Sequence, residues 1–332
     1  MLIHPPPHGE VPFRHIGLAY LQAMLKKAGI ETIFYDISAA ENNAGTDFYD
    51  DYILHLSKNV GNVGDGIDPR ILMEVIHPDM FDAISPVSAK IIAKAEKYLK
   101  ILLDSGDVFL FSVNIITYYF AAALAYRLRR HGKKTAAGGP NMRFAPLRRL
   151  FLKSGAFDAV VQGEGEGVVV ELVNQLALGK NPQIPGVSIL NGDGVISDTP
   201  PADPLPLDQI PAPSFSGMEV KDFAPVLAGR GCTFRCSFCS EPYNWSGYRV
   251  REPVKMIDEM EWSAAQYRTK NFHFHDDLIN GDLKWFDAFL AGLIDRGLRF
   301  GWESFCSPNG LTPERLDRMK ESGCILLKLG VQ

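Results

Sequence analysis

Gly229-Arg230-Gly231-Cys232-Thr233-Phe234-Arg235-Cys236-Ser237-Phe238-Cys239 is the stretch on which the interpretation of this 332-residue chain depends, because it places three cysteines within eight residues. Such a spacing lets three thiolates converge on one metal centre from a single loop. A structural zinc site usually takes four protein ligands, so three neighbouring cysteines leave one position without a protein ligand. An iron–sulfur cubane held by three cysteines likewise has one iron that is open to an outside molecule. We therefore predict that Cys232, Cys236 and Cys239 are ligands of one metal centre.

The composition is that of a globular protein. Hydrophobic residues make up 46% of the chain and charged residues 22%, which excludes a disordered, collagen-like or coiled-coil chain. The net charge of −5 does not favour a nucleic-acid partner. The five cysteines all lie in the last third and the N-terminus lacks a secretory pattern, so we expect a reducing, cytoplasmic location. Residues 108–126 carry no charge, but polar residues in their middle predict a buried strand and a helix rather than a membrane span.

Residues 1 to about 180 alternate between short apolar runs and amphipathic segments. We predict strands at 2–4, 32–37, 108–115, 135–137 and 159–162, and helices at 13–28, 89–103, 118–130, 146–153 and 168–178. This alternation predicts a parallel sheet with helices on both faces. Ligands of such sheets bind beyond the carboxyl ends of the strands. Residues 39–85 show no clear pattern.

A change of composition marks a predicted domain boundary. Residues 187–197 predict a β-hairpin around Asn191-Gly192-Asp193-Gly194. Six prolines follow, at positions 200, 201, 204, 206, 211 and 213, and such a stretch is extended and semi-rigid. We therefore expect a first domain over 1–198, a linker over 199–222 and a second domain over 223–332.

The second domain begins a new alternation. Strands are predicted at 226–228, 272–275, 300–303 and 325–329, with helices at 253–267, 283–294 and 313–322. Four strands are too few to close a barrel and leave one edge of the sheet without a partner. We therefore expect an α/β fold whose second domain is a partial barrel, and a sequence that is either a fragment of a longer protein or the product of a misjudged reading frame.

The cysteine stretch resembles the cluster loop of radical S-adenosylmethionine (SAM) enzymes. The resemblance implies an incomplete radical SAM (β/α)6 TIM-like barrel and a 4Fe–4S cluster on Cys232, Cys236 and Cys239. It implies that the open iron binds SAM, that an external electron donor reduces the cluster, and that a C–S bond of SAM is then cleaved. Phe238 matches the family position near the adenine of SAM.

The resemblance extends to the branch of this family that binds cobalamin. Residues 272–277 resemble the end of its second strand, and residues 302–306 resemble the end of its third, although Ser307 and Pro308 stand where this branch often has Arg. On this basis Asp276, Asp277 and Glu303 are candidate cofactor-binding residues.

The N-terminal part resembles the Rossmann-like cobalamin-binding domain of the same branch. The resemblance covers residues 5–7, 17–21, 138–140 and 163–166. It implies that Asn114, Thr117, Gly138, Gly139, Gly163 and Glu164 lie near the cobalamin. The sequence lacks the DxHxxG motif that supplies an axial histidine, and His8 does not have its spacing. The reaction implied most often is methyl transfer from SAM through cobalamin to an unactivated carbon of a small-molecule substrate.

Several alternatives stay open at this stage. The reaction could be a radical cyclisation or rearrangement, the chain could be an inactive fragment that binds a cluster, or it could be a zinc-binding module. Asp276 and Asp277 are either helix caps or ligands of SAM and substrate. For His273 and His275 we expect one side chain to point into the barrel and the other into the helical layer. The catalytic residues and the substrate are not identified by the sequence.

Overall fold

The computed structural model describes residues 1–4, 15–37, 67–114, 117–218, 220 and 222–330. These residues form two compact units. One comprises the described residues within 1–11 and 24–204, and the other those within 12–23 and 205–332. The predictions for residues 5–7 and for His8 lie outside the described residues, as does most of the segment 39–85.

The first unit is built around a seven-stranded sheet with the order β2-β1-β3-β4-β5-β6-β7. Its strands are β1 (Leu2–His4), β2 (Phe34–Asp36), β3 (Val108–Ser112), β4 (Lys134–Gly138), β5 (Ala159–Val161), β6 (Val187–Leu190) and β7 (Ile196–Asp198). The first five pair in parallel, and β6 and β7 continue the sheet antiparallel as the predicted hairpin.

The helices that follow these strands confirm the predicted alternation. They are α1 (Ile16–Lys27), α2 (Pro69–Ile76), α3 (Pro86–Leu102), α4 (Tyr118–Arg130), α5 (Ala145–Lys153) and α6 (Val169–Ala177). Residues of α1 up to Ala23 are grouped with the second unit. Helix α4 follows β3 and is buried along most of its length, and it packs in the core with α2 and α3. An apolar strand followed by a largely apolar helix is typical of a parallel sheet that has helices packed on both of its faces.

The second unit contains a four-stranded parallel sheet with the order β13-β12-β11-β8. Its strands and the short ribbon beside it are β8 (Ala224–Val226), β9 (Gly229–Arg230), β10 (Arg249–Val250), β11 (Asn271–Phe274), β12 (Gly301–Cys306) and β13 (Cys324–Leu329). Its helices are α7 (Glu241–Asn244), α8 (Pro253–Tyr267), α9 (Leu283–Asp295) and α10 (Pro313–Glu321).

The core of this unit lies between the sheet and its helices. Phe274 and Trp302 point from β11 and β12 towards Phe286 and Phe289 of α9, and these four side chains are fully buried. Side chains alternate between the two faces of a strand, so the odd-numbered residues of β11 and β12 point to the opposite face. That opposite face is the one that carries the polar residues described below.

The first strand of this unit lies two residues earlier than the predicted segment 226–228. Strand β8 ends at Val226, because the N–H of Ala228 donates to the Asp276 carboxylate rather than to a neighbouring strand. The antiparallel ribbon of β9 and β10 was not predicted, since two-residue strands have no periodicity. No helix among the described residues has the length and apolar character needed to cross a membrane.

Candidate functional site

The three cysteines of the loop follow β9 and are partly exposed, free thiols. The N–H of Phe234 donates to the Sγ of Cys232 at 3.4 Å, and the N–H of Cys239 donates to the carbonyl of Cys236 at 3.1 Å. Burial raises the pKa of Cys232, and nearby negative charge on Asp277 and on the other two thiols adds to that effect. In the described parts of the chain no three His, Cys, Asp or Glu side chains are gathered tightly enough to hold a metal ion. The donor set, three accessible thiols on one loop, has the soft chemistry that an iron–sulfur cluster takes.

Asp276 anchors the start of the cysteine loop. Its carboxylate accepts the N–H of Ala228 at 2.9 Å and the N–H of Gly229 at 2.5 Å, and the residue is 2% exposed. Burial raises the pKa of Asp276 to about 7. Gly229 fits here because a Cβ would lie 2.9 Å from the Arg249 carbonyl oxygen. Both oxygens of Asp276 therefore bind the backbone that leads into the loop.

Asp277 connects the two ends of the same loop. Its carboxyl group lies near the backbone N–H of Gly231, which precedes the first cysteine, and near the side chains of Glu241 and Trp245, which follow the last one. The indole N–H of Trp245 donates to Glu241 at 2.8 Å. Burial and the neighbouring charge of Glu241 raise the pKa of Asp277 to about 7. When two carboxyl groups are in contact, the state in which they share one proton is favoured over the state in which both are ionised.

Glu241 and Trp245 were not among the predicted site residues. Their only signal in the sequence was their position shortly after the last cysteine. Nothing in the pattern predicted that Glu241 lies near Asp277, which is 36 positions further along the chain. Phe238 was predicted, and it is 72% exposed at the surface of the loop. Phe234 and Tyr243 beside it are also exposed, at 39% and 73%.

Glu303 lies on the sheet face opposite the helices, between a histidine and a lysine. Its carboxylate lies 2.5 Å from the Nδ1 of His273 and accepts from the Nζ of Lys328 at 3.0 Å. Burial alone would raise the pKa of Glu303, but hydrogen bonds from Lys328 and His273 hold it below its usual value. Lys328 was not predicted, because a single lysine in a short apolar strand has no distinguishing signal.

The expectation that His273 and His275 point to opposite faces is wrong. Their rings are in edge-to-face contact at 4.8 Å. The physical reason is that residues two apart on an extended chain point to the same side. Burial lowers the pKa of both histidines, that of His275 to about 3, and the charge of Lys328 lowers both further.

The candidate residues of the first unit lie at the carboxyl ends of neighbouring strands, after β3, β4 and β5. Thr117 is 1% exposed, and its hydroxyl accepts the N–H of Asn114 at 2.9 Å and donates to its carbonyl at 3.2 Å. The N–H of Val113 donates to the carbonyl of Gly138 at 2.7 Å, so the β3 and β4 ends are in contact.

Glycine is required at two positions of this edge. Gly139 has a φ of +132°, and a Cβ there would lie 2.1 Å from the Val113 carbonyl oxygen. Gly163 has a φ of +83° and lies in the loop after β5 together with Glu164. Arg143 approaches this loop, with its Nη2 3.8 Å from the place of a Cβ on Gly163. These loops form one edge of the first unit, while the cysteine loop and Glu303 belong to the second.

Comparisons with known proteins agree with this arrangement. The sequence profile of the radical SAM superfamily matches residues 226–332. The uncharacterized methyltransferase PH0819 of Pyrococcus horikoshii is 29% identical over 209 residues, which cover 59% of this chain and 44% of that protein. The anaerobic magnesium-protoporphyrin IX monomethyl ester cyclase of Cereibacter sphaeroides is 28% identical over 204 residues, covering 56% of this chain and 33% of that protein. The chain thus spans less than half the length of these two relatives.

A solved structure extends the likeness of fold to almost the whole chain. The radical SAM methyltransferase TsrM of Kitasatospora setae, with cobalamin and a [4Fe-4S] cluster bound, superposes with a TM-score of 0.65 at 18% identity. The match covers 99% of this chain and 60% of that one. Residues 226–332 thus match the radical SAM superfamily, and the fold of almost the whole chain is similar to that of TsrM.

Proposed function

We propose that this chain is a cobalamin-dependent radical SAM enzyme that transfers a methyl group from SAM to an unactivated carbon of a small molecule. The observation that carries the proposal is the loop of three free, partly exposed cysteines, anchored by Asp276 at the carboxyl end of a parallel sheet. The carboxyl ends of parallel strands are where barrel-type enzymes hold their chemistry. The function rests on cofactors that do the difficult chemistry, while the protein binds and orients them.

Cys232, Cys236 and Cys239 would hold a 4Fe–4S cluster with one iron left for SAM. When bound, the cluster supplies the electron that cleaves a C–S bond of SAM, and cobalamin carries the methyl group. Phe238 supplies an exposed aromatic ring on the same loop for the adenine. Asp276 holds the loop backbone at its start and Asp277 joins its two ends, so that the three thiols are presented from a fixed base.

Cobalamin would bind at the carboxyl edge of the first sheet, in a domain that we assign to residues 1–198. Asn114, Thr117, Gly138, Gly139, Gly163 and Glu164 line that edge. Gly139 and Gly163 give the loops of that edge their positive-φ turns, and at Gly139 the chain packs directly against the Val113 carbonyl. Residues 199–222 are then the linker and residues 223–332 the radical SAM domain. We further propose a cytoplasmic location and an external electron donor, because a low-potential cluster needs a reducing environment.

A test of the cluster is electron paramagnetic resonance of the anaerobically reconstituted and reduced chain, with and without SAM. We expect a 4Fe–4S signal that changes when SAM is added. Cys236→Ala should abolish the signal, whereas the matched control Cys306→Ala, outside the loop, should keep it. A colourless protein with one tightly bound zinc and no sulfide would contradict the proposal. A signal indifferent to SAM would support the alternative of a cluster-binding protein without SAM chemistry.

A radical cyclase is the second candidate, because a cyclase is one of the relatives at nearly the same identity as the methyltransferase. The two reactions differ in the fate of the SAM methyl group. With SAM that is deuterated at its methyl group, methyl transfer predicts label on added cobalamin and release of S-adenosylhomocysteine. A cyclase predicts 5′-deoxyadenosine with the label retained on methionine.

A further inference from the structure

On the sheet face opposite the helices, the partly exposed ammonium group of a lysine contacts a row of buried polar side chains. Lys328 on β13 binds Glu303 on β12 at 3.0 Å, and Glu303 binds His273 on β11 at 2.5 Å. Exposure of the side chain falls along this row, from 28% for Lys328 to 11% for Glu303 and 5% for His273. Lys328 is therefore the most exposed side chain of this row.

The ionisation of the row determines what it can bind. Glu303 is held ionised by its two partners, and an ionised carboxylate only accepts hydrogen bonds, so the Nδ1 of His273 carries a proton and donates. The ammonium group of Lys328 has three donors and no acceptor. A ligand that contacts Lys328 must therefore present an acceptor, and an anionic oxygen makes the stronger hydrogen bond.

The surroundings of Lys328 are apolar. Phe305 and Leu326 are half exposed, at 48% and 47%. The backbone register pairs Phe305 with Lys328 and Glu303 with Leu326, so all four side chains share one face. The Nζ of Lys328 lies 5.6 Å from the centre of the Phe305 ring. Apolar surface is stabilised when another apolar group covers it, so this surface can take up an apolar group beside the cation.

Glu303 does not prevent Lys328 from binding a second carboxylate. In the same unit the Nη1 of Arg296 accommodates two carboxylates at once, Asp258 at 2.7 Å and Glu261 at 2.6 Å.

Building on the proposed function, we propose that Lys328 is a specificity-determining residue of the substrate site on this face, and that the substrate joins an apolar, ring-sized body to a carboxylate. The apolar body lies on Phe305 and Leu326, and the carboxylate binds the ammonium group. Glu303 and His273 act as positioning residues, because they hold the ammonium group in place without touching the substrate.

The test uses a matched pair of fluorescent probes, pyrenebutyrate and the neutral pyrenebutanol, titrated onto the full 332-residue chain after cluster reconstitution. We expect pyrenebutyrate to bind more tightly than pyrenebutanol. Lys328→Met should raise the Kd of pyrenebutyrate about tenfold, which corresponds to loss of ~1.4 kcal/mol, and should leave that of pyrenebutanol unchanged. Lys328→Arg should keep most of the preference. The matched control is Lys320→Met, which removes an exposed lysine from α10.

Equal binding of the two probes to the unaltered chain, or an equal loss of both in Lys328→Met, would overturn the proposal. Unchanged pyrenebutanol binding in Lys328→Met shows that the variant has folded. The binding experiment and the cluster signal are independent readouts. Absence of a cluster signal would therefore refute the proposed function, while the two-probe comparison would still decide the role of Lys328.

Discussion

Asp276→Asn tests the anchoring of the cysteine loop most specifically, because it keeps the shape of the side chain and removes one hydrogen-bond acceptor. The native carboxylate accepts the N–H of Ala228 and the N–H of Gly229. Asparagine has one carbonyl oxygen and an NH2 group that only donates. One of the two backbone N–H groups would therefore face another donor in a site that is 2% exposed.

The expected cost follows from that geometry. A buried donor left without a partner costs about 1–3 kcal/mol, and we take ~2 kcal/mol as the expected loss. If the loop opens locally, this loss raises its open population about thirtyfold, since each ~1.4 kcal/mol is a factor of ten. We expect the consequence at the beginning of the loop, where the two N–H groups lie.

Hydrogen–deuterium exchange of the reduced, metal-free chain measures this directly. Peptides that contain residues 228–231 should exchange about thirtyfold faster in Asp276→Asn. Asp282→Asn is the matched control, because Asp282 also accepts two backbone N–H groups, from Lys284 and Trp285, but at a helix N-cap where asparagine serves equally well. Unchanged exchange at 228–231 in Asp276→Asn would refute the view that this carboxylate anchors the loop.

Two further predictions concern the first unit. Glu74 is 1% exposed, and although burial would raise its pKa, hydrogen bonds from Ser88, Ser85 and Arg70 lower it to about 2. A carboxylate with a lowered folded-state pKa stabilises the protein above pH ~4.5, and this contribution of about 3 kcal/mol is lost as the pH falls towards 2. Urea titrations from pH 6 to 3 should therefore show a steeper loss of stability for the native chain than for Glu74→Gln, and parallel curves would contradict this assignment. Gly139→Ala should lower the melting temperature sharply and impair cobalamin binding, because the new Cβ would overlap the Val113 carbonyl. Gly192→Ala, where no atom lies within 4 Å of the new Cβ, is the control, and equal melting of the two variants would show that Gly139 is not constrained.

The alternation of strands and helices was predictable because it is a local property. The apolar run of β3, the buried helix α4 and the Asn-Gly-type hairpin of β6 and β7 carry their signals within a few residues. The same is true of the three cysteines, whose spacing is itself the signal. Most predicted boundaries hold to within a few residues for the same reason.

Segments whose hydrogen bonds go to distant partners were not predictable in this way. Residues 227–228 read as strand because they are apolar, yet the N–H of Ala228 binds a carboxylate 48 positions away. The ribbon of β9 and β10 is too short for a periodic pattern. In both cases the local structure depends on the hydrogen-bonding partner, and the local sequence does not predict which residue that partner is.

The sequence by itself determined the resemblance to radical SAM enzymes and the spacing of the three thiols, since both depend on which residues are present and how they are spaced. Only the tertiary structure showed that Asp276 and Asp277 hold the ends of that loop, and that Glu303 lies between His273 and Lys328. The contacts of Glu303 come from parallel pairing, which places residues 25 to 30 positions apart side by side. A parallel sheet needs a long connection between neighbouring strands, so its cross-strand contacts are set by the register of the fold rather than by any pattern along the chain.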